Sequence, residues 1–157
     1  MSFILARLVS GHVAPVAQKP VAAEAEFNRG ALLVMDEDGA WAECEEDPEA
    51  IGAIAESSYG PDTSGFNKLA KKEFPPGYMQ GTKVQGEVQF HAEYLGDLPA
   101  ADGGSYGVTR DEDADWKVDF DKTGEDARVK LVGRWTDAPI NRSRVMVSFL
   151  AANVQVV

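Results

Sequence analysis

The chain has 157 residues, 44% of them hydrophobic and 26% charged, with a formal net charge of −11. Those proportions suit one folded domain with a real core, while the acidic excess disfavours broad contact with nucleic acid or anionic lipid. Cys44 is the only cysteine, so an intrachain disulfide and a cysteine-based zinc site are both excluded.

Residues 1–23 contain Arg7 and Lys19 and no carboxylate; the first acid is Glu24. A weakly basic N-terminal arm, 1–23, therefore precedes an acidic body, 24–157, and the contrast favours docking of the arm on an acidic surface. Phe3, Ile4, Leu5, Arg7 and Leu8 are the candidate contact residues toward a neighbouring subunit, and on this reading residues 2–19 are dispensable for the fold. The alternative is an ordinary first strand from Phe3 to Val9 and a linker through Pro15 and Pro20, which rule out a long helix there. The arm lacks the apolar core and cleavage pattern of a secretory signal. No stretch approaches the roughly 20 apolar residues that cross a bilayer, so the chain is expected to be made and retained in a cytoplasm.

From Phe27 to Met35 an apolar run leads into Asp36-Glu37-Asp38-Gly39, a return segment around Trp41, and then Asp47-Pro48-Glu49-Ala50-Ile51-Gly52-Ala53-Ile54-Ala55. Two apolar runs around an Asp-Gly turn predict short strands joined by tight turns, with Gly39 at positive φ and Gly30 a second conformational glycine. Residues 57–81 are rich in turn formers and predict a long loop excursion, with one helical turn at Asn67 to Lys72. A single strand is predicted over Thr82 to Phe90, where Val84, Val88 and Phe90 share a face and Gly86 marks a bulge. Further strands are predicted at Ser105 to Thr109, Trp116 to Phe120, Ala127 to Trp135 and Arg144 to Leu150, with Val154 and Val156 repeating the alternation. Roughly eight short strands between Gly, Asp and Pro turns define a mainly β chain: a single-domain β-barrel or β-sandwich with an extended N-terminal arm and long loops.

Chemistry is harder to place. Asp111, Asp113 and Asp115 open like an EF-hand loop, but Trp116 stands at position six and Lys122 at position twelve. A solvated acidic turn is the first reading, with weak Ca²⁺ binding as the alternative. His12 and His91 are the only histidines, and no Gly-x-Ser-x-Gly elbow, His-Glu-x-x-His pair or phosphate-binding glycine loop accompanies them. Glu43, Glu45, Glu46 and Glu49 crowd one acidic turn instead of flanking a cleft as glycosidase carboxylates do, and Cys44 among them has a disfavoured thiolate. Trp41, Trp116 and Trp135 read as core or interface anchors. No catalytic residue, cofactor or metal site is assigned.

The phrase Phe27-Asn28-Arg29-Gly30-Ala31-Leu32-Leu33-Val34, the turn Asp36 to Gly39 and the strand Asp47 to Ala55 resemble the capsid decoration, or cement, proteins of tailed bacteriophages. Tyr106-Gly107-Val108, Trp116-Lys117-Val118-Asp119 and Arg144 to Leu150 extend the resemblance over most of the chain, with departures at 57–81 and in an insert at 97–104. The resemblance implies a structural virion protein on the outer surface of the capsid, made in the host cytoplasm. Its partners would be the major capsid protein, whose neighbouring subunits it clamps in the expanded shell, and copies of itself, as a trimer or a dimer. Two other classes stand beside it: a β-sandwich recognition module such as a carbohydrate-binding domain, supported by the three tryptophans, and a small β-barrel enzyme, disfavoured by the lack of paired general bases.

Overall fold

The computed structural model describes residues 2–8, 15–60, 77–84, 88–134 and 144–157. Eleven strands appear among them: β1 (Ile4–Leu8), β2 (Val16–Pro20), β3 (Leu32–Met35), β4 (Trp41–Glu43), β5 (Ala53–Ala55), β6 (Tyr78–Lys83), β7 (Val88–Leu95), β8 (Ser105–Arg110), β9 (Trp116–Asp119), β10 (Val129–Arg134) and β11 (Arg144–Phe149). One sheet runs β1-β7-β11-β10-β8-β9 and the other β2-β6-β5-β3-β4. In the first, β9 also pairs parallel with β7 through Tyr94↔Val118 and Leu95↔Asp119, which closes β7-β11-β10-β8-β9 into a five-stranded barrel. Closure of this kind leaves the ring without an edge. The fold class expected from the sequence is thus observed, as a barrel with an additional sheet.

Alternation explains the barrel wall. Val145, Val147 and Phe149 of β11 are buried while Met146 and Ser148 are half-buried, a period-two pattern with one covered face. The first five residues of β7, Val88 to Ala92, are all buried, as befits a strand bonded along both edges and covered on both faces. One apolar cluster then runs through both sheets, from Leu32, Trp41 and Ile54 to Phe90, Trp116 and Val147. Phe149 packs on Phe3 and Phe90 with ring centroids 5.3 Å and 5.6 Å apart.

Three expectations need correction. Thr82 to Phe90 is not one strand: β6 ends at Lys83 in the five-stranded sheet and β7 starts at Val88 in the barrel. Val84, Val88 and Phe90 all enter the same core, so the apolar spacing persists while the chain changes sheet. Within 1–23, Ile4–Leu8 pairs with β7 and Val16–Pro20 with β6, so these two segments are strands of the body, as the first-strand alternative has it, and not a detached arm. The excursion is shorter than 57–81: Phe27 bridges Tyr59, and Tyr78 to Gly81 belong to β6. The helical turn at Asn67 to Lys72, Gly86, Trp135 and His12 lie outside the described residues. At the other end Val154 bridges Ile51, the Gln155 side chain bonds Met35 N and O at 2.7 and 2.9 Å, and Val156 is exposed.

Candidate interaction surface and interlayer clasps

The N-terminal residues sit at a seam. β1 runs antiparallel to β7 with Ile4 opposite His91, and β9 runs parallel to it with Val118 opposite Tyr94. Since β11 occupies the other edge of β7, β1 and β9 lie end to end along one edge, and Ser2 falls where they meet. Its hydroxyl oxygen accepts from Trp116 N at 2.8 Å and donates to Asp115 at 3.1 Å. Its carbonyl accepts from Arg144 at 2.7 Å. Phe3 N then donates to Gly30 O at 3.2 Å, joining the seam to the second sheet. Gly30 has φ +85° and a Cβ there would stand 2.7 Å from Phe3 O, so this approach requires glycine.

Of the five candidate contact residues, Phe3 is core, 1% exposed, and is removed from any surface. Ile4 and Leu5 line a cleft of about 300 Å³ between β1 and the second sheet, with Ile54, Arg29, Glu56 and Thr82 on its other walls. Leu5 is one of the exposed large hydrophobics, and so is Val16, the cross-strand partner of Thr82. Glu56 is held there by Gln80 at 2.7 Å and Thr82 at 2.9 Å. Arg7 and Leu8 continue β1 opposite Gln89 and Val88.

The acidic segment after β4 has a structural task. Glu43 accepts from Trp116 Nε1 at 3.0 Å and pairs with Arg110 at 2.8 Å. Lys122 reaches Asp47 at 2.6 Å and Glu46 at 3.2 Å. Arg128, 7% exposed, donates to the carbonyls of Pro48, Glu125 and Ala127. Three cations of the barrel side therefore clasp Glu43 and the segment after β4, with Glu43, Glu46 and Asp47 engaged in that contact. Cys44 lies beneath them, its thiol pushed up to about 12 by burial and then by Glu43, which leaves it without nucleophilic character near neutral pH.

The two acidic turns are built alike. Asp36 Oδ1 accepts from the backbone N–H of Asp38 and Ala40 at 3.0 and 2.8 Å; Asp111 Oδ1 accepts from Asp113 and Asp115 at 3.0 and 2.9 Å. The fourth residue of each turn has positive φ, +76° at Gly39 and +62° at Ala114. Asp111 also meets Lys117 at 2.7 Å, and that bond holds its carboxyl below the ordinary range. Its oxygens thus serve a hairpin turn, and no group of metal-ligating side chains occurs among the described residues.

His91 is buried and satisfied, its Nδ1 accepting from Arg144 Nε at 2.6 Å. Burial, then the Arg144 charge, lowers it to about 4. Trp41 and Trp116 are fully buried, with their indole N–H groups given to Met79 O and Glu43; neither offers a ring to a sugar. The buried cations Arg128 and Arg144 were not among the residues singled out from sequence, because only their distant partners distinguish them from surface arginines. No family model, curated protein or solved structure matches the chain.

Proposed function

We propose that the chain is a structural virion protein that binds the outside of an assembled tailed-phage capsid and clamps neighbouring major capsid subunits, stabilising the expanded shell. The observation that carries the reading is the segment Phe27 to Ala55. Its phage-like glycines and Asp-Pro pair occupy framework positions: Gly30 against Phe3, Gly39 in the Asp36 turn, and Asp47-Pro48 under Lys122 and Arg128. The β1 side of the cleft, with Ile4 and Leu5, is the face assigned to the capsid or to a second copy of the chain. Selective binding to the expanded shell would stabilise it by mass action. The carbohydrate-binding alternative loses the two tryptophans that are core.

The test compares heat- or chelator-induced genome release from particles carrying the protein and particles lacking it. Earlier release from bare particles is expected, and equal release overturns the assignment.

A further inference from the structure

Arg144 ties the Ser2 carbonyl to the barrel, beside the bonds of its hydroxyl to Trp116 and Asp115, and it is itself seated on a histidine. Both His91 and Arg144 are 7% exposed. The guanidinium donates through Nε to His91 Nδ1 at 2.6 Å, and through one amino group to Ser2 O at 2.7 Å and His91 O at 3.1 Å. The first bond requires a lone pair on Nδ1, hence a neutral imidazole carrying its proton on Nε2.

We propose that His91 and Arg144 form an acid-operated latch: protonation of His91 sets two cations against each other and frees the N-terminal strand from β7 while the barrel stays closed. Release is confined to β1 because β1 ends its sheet and, among the described strands, pairs with β7 alone, whereas the ring β7-β11-β10-β8-β9 closes without it. Among the described residues, the charged groups around the pair come from several elements. Glu93 of β7 lies 3.7 Å from Arg144, and Lys117 of β9 lies 3.8 Å from Glu93 and 2.7 Å from Asp111. Asp115 of the β8–β9 turn bonds Ser2, and β1 and β11 place Ile4 and Met146 opposite His91. Burial lowers Arg144 while Glu93 and Asp115 oppose that lowering; an arginine starts so far above a histidine that the imidazole is the member of the pair that stays neutral.

The direction follows from linkage. Burial, then the Arg144 charge, lowers latched His91 to about 4, and loss of β1 relieves part of that burial, so the released imidazole moves up toward the ordinary 6.5. The latch is therefore whole above about pH 6.5 and weakens as pH falls from there toward 4. Between pH 7 and pH 5, where ordinary carboxylates remain mostly ionised, the opening equilibrium of β1 rises, by ~20-fold at most, the limit reached if release restores the full 6.5.

Amide hydrogen exchange of the β1 peptide, relative to β10 and corrected for intrinsic rates, reads that change in the full chain. The expected result is a rise of several-fold, up to ~20-fold, in the native protein and none in His91→Gln, whose neutral side-chain oxygen can accept from Arg144 at any pH. An equal rise in the variant overturns the latch. Should the variant not fold, the native protein decides alone: His12 and His91 are the only histidines, so two C2-proton resonances are followed by NMR. One is expected to titrate well below the other, and two ordinary midpoints near 6.5 overturn it.

Discussion

The paired acidic turns allow a reciprocal experiment within one molecule. Gly39 and Ala114 occupy equivalent positions, at φ +76° and +62°, after aspartates that bond the same two backbone N–H groups. An L-residue in this region costs about 1–2 kcal/mol against its right-handed conformation, and glycine returns about 0.5–1 kcal/mol of that through its larger unfolded entropy. A Cβ at Gly39 would meet nothing within 4 Å, so no steric contribution confuses the comparison. Gly39→Ala is expected to destabilise by about 0.5–1 kcal/mol, and Ala114→Gly to stabilise by a similar amount. For a chain of this size that is about 1–4 °C in melting temperature, in opposite directions. Differential scanning calorimetry of the two variants and the double variant reads both signs. The double variant should return to the parental value, because the turns lie in different sheets and such sites add. A lowered melting temperature for Ala114→Gly would refute the shared turn geometry and the strain argument with it.

Gly30→Ala is expected to cost more than Gly39→Ala, about 2–4 kcal/mol, because it adds backbone collision with Phe3 and strains the Phe3 N–H bond to the same strain of φ; urea unfolding that ranks the two equally would remove Gly30 from the seam. Arg128→Ala should cost about 2–3 kcal/mol by leaving the buried carbonyls of Pro48 and Ala127 without this donor. Lys122→Ala, in a solvent-facing pair, should cost less than about 1 kcal/mol and lose even that in high salt. Chemical denaturation at two ionic strengths separates these outcomes, and a larger loss at Lys122 would invert the account of the clasp.

Local chemistry was readable and long-range chemistry was not. The Asp36 to Gly39 hairpin is legible because the aspartate, the glycine and the apolar flanks that encode it are neighbours. The strand β11 is legible because Val145, Val147 and Phe149 report one covered face. The Thr82 to Phe90 stretch misleads because burial is all that periodicity records: Val84 and Phe90 enter one core although β6 and β7 belong to different sheets. Ser2 to Leu8 reads as a detachable arm because its partners are remote, Asp115 being 113 residues away and Arg144 142 residues away. The same holds for the acidic run around Glu46. Alone it is a solvated turn, and only Arg110, Lys122 and Arg128, each far along the chain, make it a clasp.

The seam at Ser2 also sets a clock. During vectorial synthesis the segment that becomes β1 has no β7 to join until about half the chain has followed it. The Ser2 carbonyl then waits for Arg144, 142 residues later, which at ribosomal speeds is about 7–30 s. Hairpins such as β3–β4 and β8–β9 close in microseconds once made. β1 therefore stays unpaired until β7 has been made, and the seam at Ser2 is completed only once Arg144 follows: local turns form early, and the contact that joins the two ends of the fold forms late.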